Sequence, residues 1–379
     1  MHGLCRSLAA AGHDVHVLTT SVNGAEDSDV MHDRPVNVDG VQVHYCRSRW
    51  FRRVYWSADL EARCARMIRG FDVMHLHSVF LFPTWAGARA ATKAGVPYIL
   101  SPRGMLVREL IARRNALFKR TWIRLIERRN LAHAARIHLT SAEEYRALVD
   151  LALALAPTVC IPNGVDVPNS FSLNSVSADV RSIVSQGYDV LSFGRINWKK
   201  GLEGLVRLAA AIPDAKFVIA GHDEDGLAKT LNRIADECGV GTRVRLLPRQ
   251  VTGADKEALF ATARLFVLPS LSENFGNVVA EAMIRGIPVL VSERVGAAGI
   301  VEASGGGVVV KGDEDSFGSA IASLLKSKEQ LAFMGKAGAN YARQKLTWDY
   351  IARRFESLYE NVSASGLARN RRIQPIGTS

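Results

Sequence analysis

The sequence predicts an α/β protein made of two doubly wound, parallel-sheet domains. Two observations carry this. Short apolar runs alternate with helical stretches along most of the 379 residues, and the alternation stops once, at a turn near residue 164, before starting again. A chain of this length that is 48% hydrophobic can bury two ordinary cores and is long for one.

In the first domain, expected over residues 1–166, Leu4 and Leu8 share one face of a helix that Gly12 stops. Strands are expected at Val15–Leu18, Val41–Tyr45, Val73–Leu76, Tyr98–Leu100, Arg136–Leu139 and Val159–Ile161, with helices between most of them. The turn Ile161-Pro162-Asn163-Gly164-Val165-Asp166 and the polar stretch Asn169–Ser177 break the rhythm and set the boundary. The second domain, expected over 167–345, has strands at Val190–Phe193, Phe217–Ala220, Val244–Leu247, Leu265–Leu268, Pro288–Ser292 and Gly307–Val310. A C-terminal helix follows over 346–362, with Trp348, Ile351, Phe355 and Tyr359 along one stripe. Residues 363–379, small, polar and basic, read as a disordered tail.

The net charge is +11, which calls for a polyanionic partner or an anionic membrane surface. Between Pro102 and Arg136 stand ten Lys or Arg (Arg103, Arg108, Arg113, Arg114, Lys119, Arg120, Arg124, Arg128, Arg129 and Arg136) against only Glu109 and Glu127. Leu110, Leu117, Phe118, Trp122, Leu125 and Ile126 recur there at helical spacing, with Arg113, Arg120 and Arg124 on another face. Residues 103–136 therefore read as a basic amphipathic helix able to lie on anionic lipid; a core-facing helix with a solvated basic side is the alternative. A second cluster, Arg47 to Trp56, interleaves cations with aromatics and reads as an acceptor or membrane loop. No recognised nucleic-acid motif accompanies these cations. Cys5, Cys46, Cys64, Cys160 and Cys238 have neither metal-ligand nor disulfide-framework spacing, which favours a reducing, cytoplasmic setting, and no apolar run is long enough to cross a bilayer.

Chemistry-bearing residues gather at strand ends of the second domain. After Leu265–Leu268 comes Ser272-Glu273-Asn274-Phe275-Gly276-Asn277-Val278-Val279-Ala280-Glu281, two carboxylates eight residues apart around a helix start at Gly276. The first N–H groups of such a helix have no internal partner, and a diphosphate or a sugar hydroxyl can take them. Asn274, Phe275, Gly276, Asn277 and Glu281 are the donor-binding candidates there. After Val190–Phe193 comes Gly194-Arg195-Ile196-Asn197-Trp198-Lys199-Lys200-Gly201, which delivers two cations, Arg195 and Lys200, suited to a phosphate pair. After Phe217–Ala220 comes Gly221-His222-Asp223, a small-residue turn that lets a ligand approach the backbone. In the first domain the strand ends offer His77 and Arg103; Arg103, permanently protonated, would hold a negative charge rather than take a proton.

On Glu273 and Glu281, and on Gly194-Arg195 with Lys200-Gly201, the sequence resembles the retaining glycosyltransferases of family 4, over nearly the whole chain. The resemblance implies the GT-B fold, two Rossmann-like domains facing across a cleft, with the C-terminal helix crossing back to the first domain. It implies a nucleoside diphosphate sugar as donor substrate, with no cofactor and no metal. Arg195, Lys200 and Glu273 would be the catalytic residues, Gly194, Gly221 and Glu281 would line the donor, and His77 and Arg103 the acceptor side. Family members begin with a strand and a Gly-rich loop before the helix in which Met1 lies. They usually place a Gly near the base where Pro248 and Arg249 stand, and many carry a His where Arg103 stands.

The expected activity is retaining, metal-independent transfer of a sugar to a lipid-linked or saccharide acceptor in cell-envelope or exopolysaccharide synthesis, at the inner face of the cell membrane. Two rivals stay open: a sugar-nucleotide epimerase of the same architecture, and an inactive truncated protein binding membrane or another polyanion.

Overall fold

The computed structural model describes residues 1–113, 115–311 and 314–373. The chain forms two compact units: Met1–Pro162 together with Trp348–Ser379, and Asn163–Thr347. The first break falls inside the Ile161–Asp166 turn, and the second lies two residues beyond the expected 345.

Unit 1 contains strands β1 (His16–Thr20), β2 (Val22–Asn23), β3 (Glu26–Asp27), β4 (Val36–Val38), β5 (Val41–Cys46), β6 (Met74–His77), β7 (Tyr98–Ser101), β8 (Arg136–Leu139) and β9 (Thr158–Cys160). One continuous parallel sheet was expected here, and the structure differs. β6-β7-β8-β9 form a parallel sheet, β1-β5-β4 form a second in which β4 runs antiparallel to β5, and β2 and β3 pair as an antiparallel ribbon. β2, β3 and β4 are only two or three residues long, below what apolar periodicity can register. The described ladders do not join β1 to β6.

The C-terminal helix belongs to this unit. Ile351, Phe355, Leu358 and Val362 pack with Leu4, Leu8, Ile99 and Ile161, so its apolar stripe covers the first helix (His2–Ala10) and the sheet. It continues past Val362, where the sequence suggested a disordered tail, to Ile373. Ala364, Leu367 and Ala368 are strong helix formers. Residues 374–379 of the expected tail lie outside the described residues.

Unit 2 holds one six-stranded parallel sheet in the order β12-β11-β10-β13-β14-β15, with β10 (Val190–Phe193), β11 (Phe217–Ala220), β12 (Val244–Leu247), β13 (Leu265–Leu268), β14 (Val289–Ser292) and β15 (Gly307–Val310). β10, β11, β13 and β14 are buried along their whole length, because helices cover both faces of the sheet. The two faces build separate cores, one around Phe260, Phe266 and Met283, the other around Leu205, Phe217 and Ile321. Strand order reverses between β10 and β13. In an open parallel sheet, ligands bind outside the carboxyl ends at that reversal.

Candidate active site

The segments that leave the carboxyl ends of β10 and β13 are the two that the sequence singled out. From β10 the chain turns through Gly194 into a short helical turn, Trp198–Lys200, and then the helix Leu202–Leu208. From β13 it passes Glu273 and enters the helix Asn277–Ile284 at Gly276, whose φ of 87° is a left-handed conformation that a glycine adopts at little cost. Leu271 N–H donates to Lys199 C=O at 2.7 Å, which ties the two segments together.

At their meeting point Lys200 Nζ donates to Glu273 Oε2 in a partly buried ion pair. Lys200 is itself a buried residue. Two strand-end turns close around it. A Cβ on Gly194 would stand 3.8 Å from Lys200 Nζ, and one on Gly221 would stand 1.9 Å from Gly194 C=O, so the approach of β11's turn to β10's requires a glycine at 221. Gly276 lies within 3.4 Å of Glu273 Cγ by the same measure. Gly194, Lys200, Gly221, Glu273 and Gly276 therefore form one group, from residues more than eighty positions apart.

Arg195 is placed otherwise. It is largely exposed, and its Nη1 donates to Glu224 Oε1 at 2.7 Å. Asn197 Nδ2 donates to the other Glu224 oxygen at 2.8 Å. The Asn197 hydrogen bond, with the Arg195 charge, holds the Glu224 carboxyl below its ordinary pKa against the cost of partial burial. Glu224 was not singled out in the sequence, since its partners lie 27 and 29 residues away.

Glu281 meets a cation the sequence also left unremarked. Lys256 Nζ lies 2.9 Å from Glu281 Oε2 and 5.8 Å from the centre of the Phe193 ring at the end of β10. Asn277 Oδ1 accepts from Asn163 Nδ2 at 2.9 Å, which places the Asn163-Gly164 turn beside the same helix start. The Phe275 side chain is buried in the core under the loop and anchors the turn. Arg249, just after β12, is held by Asp179 at 2.9 Å and Asp255 at 2.8 Å. This clamps the segment after β12 to the helices Ala178–Gln186 and Gly253–Thr262.

In unit 1, His77 and Arg103 come together at the ends of β6 and β7. Arg103 donates to His77 Nδ1 from Nε at 3.3 Å and from Nη2 at 3.0 Å. The Arg103 backbone is left-handed, φ 57°, uncommon for a side chain that size. Behind them runs a relay, half-buried at Tyr359 and His75 and buried at Ser101 and His138: Tyr359 Oη to His75 Nδ1 at 2.8 Å, His75 Nε2 to Ser101 Oγ at 2.7 Å, Ser101 Oγ to His138 Nδ1 at 2.7 Å, and His138 Nε2 to Ile161 C=O at 2.8 Å. Burial, with neighbouring cationic groups, pushes His75 and His77 well below the usual histidine pKa and His138 down to about 3. Ser101, His138 and Tyr359 are a support for this edge that no local sequence signal marks.

The stretch 103–136 is not one amphipathic helix. It runs as helix Arg108–Arg113, helix Ala116–Trp122, a π-helical turn Ile123–Glu127 and helix Arg128–His133; Arg114 lies outside the described residues. Trp122, Ile123 and Ile126 turn inward, whereas Leu117, Phe118 and Leu125 are 81%, 46% and 69% exposed. Glu127 is wholly buried and accepts from Phe80 N–H, Trp122 Nε1 and Asn130 Nδ2. Its charge therefore does not offset the arginines outside.

Comparison with known proteins settles the family. The model for the Glycosyl transferase 4-like domain matches residues 1–164, and that for Glycosyl transferases group 1 matches residues 178–341. The GDP-mannose:cellobiosyl-diphosphopolyprenol alpha-mannosyltransferase of Xanthomonas campestris is 30% identical over 294 residues, 76% of this chain and 71% of that one. The chain belongs to the group 1 glycosyltransferases of family 4. The D-inositol 3-phosphate glycosyltransferase of Nocardia farcinica is 30% identical over 251 residues, 63% of this chain; the chain spans 54% of its length, and 38% of the Mycolicibacterium paratuberculosis protein of the same name. Among solved structures, sucrose-phosphate synthase from Thermosynechococcus elongatus superposes with a TM-score of 0.74 at 22% identity, covering 96% of this chain and 92% of that one. HepE of Anabaena in complex with UDP and glucose gives 0.67 at 19% identity, covering 84% and 86%. These likenesses give this glycosyltransferase chain the GT-B fold. Among the described residues no helix is long and apolar enough to cross a membrane.

Proposed function

We propose that this chain transfers a glycosyl group from a nucleoside diphosphate sugar to an acceptor hydroxyl with retention of configuration and without a metal ion. The observation that carries the reading is the Lys200–Glu273 pair, enclosed by Gly194, Gly221 and Gly276 at the reversal between β10 and β13. The bond between the anomeric carbon and the diphosphate oxygen breaks, and the electron pair leaves with the diphosphate. The acceptor oxygen bonds to the anomeric carbon on the same face, and its proton passes to the departing phosphate oxygen. Charge thus builds on the diphosphate while the sugar becomes oxocarbenium-like. Lys200, Arg195 and the N–H groups at the start of the helix Asn277–Ile284 supply fixed positive potential for the leaving group. Glu273 orients the sugar and Glu281 accepts from the ribose hydroxyls. The UDP- and UDP-sugar-bound structural neighbours support a nucleotide donor.

On the acceptor side the reading assigns His77 and Arg103 to an anionic or hydroxyl group. Leu117, Phe118 and Leu125 stand in solvent among Arg120, Arg124 and Arg128, an arrangement suited to the headgroup layer of an anionic membrane and costly in water alone. It supports a peripheral position at a membrane's cytoplasmic face and a lipid-linked acceptor in envelope or exopolysaccharide synthesis.

The test is thermal stability against UDP, GDP, ADP and their sugars, with Glu281→Ala as the comparison. A ligand at a hundredfold its dissociation constant stabilises by about 2.7 kcal/mol, which shifts a unit of this size by roughly 5 to 10 °C. A shift with one nucleotide, reduced in Glu281→Ala, is expected. Equal shifts in the two proteins would remove Glu281 from the ribose, and no shift with any nucleotide would remove the donor site.

A further inference from the structure

On the helical segments that carry the exposed Leu117, Phe118 and Leu125 lies a pocket of about 280 Å³ that joins an apolar lining to two guanidinium groups. Ile111, Ile123, Leu151 and Leu153 provide the lining, and Arg108 and Arg120 border it. Ile111 is buried, and Ile123, Leu151 and Leu153 pack against the core of the unit, so the pocket's inner side is anchored. Arg108 donates from Nη2 to Asp150 C=O, which fixes its guanidinium over the loop that carries Leu151 and Leu153. The Arg120 side chain is exposed and has no hydrogen-bond or ion-pair partner among the described residues.

We propose that this pocket seats one phosphate-bearing lipid drawn from an anionic bilayer, the phosphate on Arg120 and Arg108 and the first carbons of its chain against Ile111, Ile123 and Leu153. The inference rests on the reading of residues 103–136 as a membrane-facing surface, and it adds a discrete site to that surface. Charge complementarity selects the occupant. The only acids in the stretch are Glu109 and Glu127; Glu127 is buried against Trp122 and Asn130, so exposed Glu109 alone stands against the arginines and the outer face is net cationic. A free phosphate would meet two water-exposed guanidiniums with nothing to desolvate them. An uncharged alcohol would use the lining and leave the cations idle. An amphiphilic phosphate engages both halves, and Leu117, Phe118 and Leu125 on the same helical segments would enter the bilayer beside it.

The probe is octyl phosphate, kept below its micellar concentration and titrated into the full chain by calorimetry, with octanol and inorganic phosphate as controls. Saturable binding of one octyl phosphate, at least tenfold tighter than either control, is expected. Ala112→Trp, which fills the pocket from an exposed helix position, and Arg120→Ala, which removes one guanidinium from the surface, should each weaken it at least tenfold. Flotation with vesicles of phosphatidylcholine, with and without phosphatidylglycerol, reads the surface separately. There the double variant Leu117→Gln/Leu125→Gln should lose membrane binding and keep octyl phosphate. Octyl phosphate binding no tighter than octanol, or unchanged in both pocket variants, overturns the pocket while normal flotation leaves the surface standing. Flotation indifferent to anionic lipid and to the double variant overturns the surface, and with it the bilayer as the source of the ligand.

Discussion

Arg103 donates to His77 Nδ1 from both Nε and Nη2, so the imidazole's only proton is on Nε2. A histidine fixed in that tautomer beside a permanent cation, and buried, is a neutral hydrogen-bond donor at its outer nitrogen rather than a base. Burial first, and then the Arg103 charge, holds its pKa well below the usual value. Nitrogen-15 imidazole spectra should show His77 as the neutral Nε2–H form at pH 6. Arg103→Met should raise its pKa and mix the tautomers. A His77 that titrates near 6.5 in the unaltered chain would contradict the assignment.

The relay behind it makes unit 1 acid-sensitive. His75, His77 and His138 have folded pKa values below the unfolded value near 6.5, so under that pH the unfolded chain binds more protons and stability falls as the pH drops. For His138, with a folded value of about 3, the loss between pH 6.5 and pH 5 is about 2 kcal/mol. Urea unfolding of the full chain at pH 7, 6 and 5 should show a transition that weakens over this window, and His138→Gln should flatten its slope. A stability that stays level from pH 7 to pH 5 would mean that the three rings are not buried neutral.

Glu224 holds the guanidinium that the proposed function gives to the donor, so on that reading the carboxylate and the diphosphate compete for Arg195. The Arg195–Glu224 pair is exposed, which limits its worth to about 1 kcal/mol or less, or at most about fivefold in binding. Glu224→Gln should therefore tighten nucleoside diphosphate binding two- to fivefold, an effect that shrinks as salt rises. Weaker binding in Glu224→Gln would show instead that the carboxylate holds Arg195 in its working position.

Most of unit 2 was legible because its strands are buried on both faces and read as continuous apolar runs, as in Leu265-Phe266-Val267-Leu268. The glycine and charge signals mark Lys200 and Glu273 as strand-end residues, whereas the adjacency of their strands, β10 and β13, is set by the strand order of the sheet. Pairs such as Lys256 with Glu281 were not legible, since they depend on which helix faces which strand end. In unit 1 the short strands β2 to β4 carry too few residues for a period. The phase of the 103–136 stretch does not follow a single ideal helix, which puts Trp122 and Leu125 on one apolar side; the broken and π-wound segment half-buries Trp122 against the core and exposes Leu125. Glu127 shows the same limit, because a carboxylate spent on Phe80, Trp122 and Asn130 counts as surface charge in a sequence.

Lys256 pairs with the carboxylate that the proposed function assigns to the ribose, and on that reading nucleotide binding is an exchange of partners at Glu281. Both side chains are about three-quarters buried, at 22% and 24% exposure, so removing the lysine leaves a partly desolvated carboxylate without its counter-charge. Lys256→Met should thus destabilise the ligand-free chain by about 1 to 2 kcal/mol. Ribose hydroxyls would then relieve that cost, and nucleoside diphosphate binding should tighten three- to tenfold. The gain must vanish in Glu281→Ala, where no carboxylate is left to free, so a double-mutant cycle on binding isolates it. If Lys256→Met instead weakens binding, and does so equally with and without Glu281, the lysine touches the nucleotide directly and the exchange is wrong.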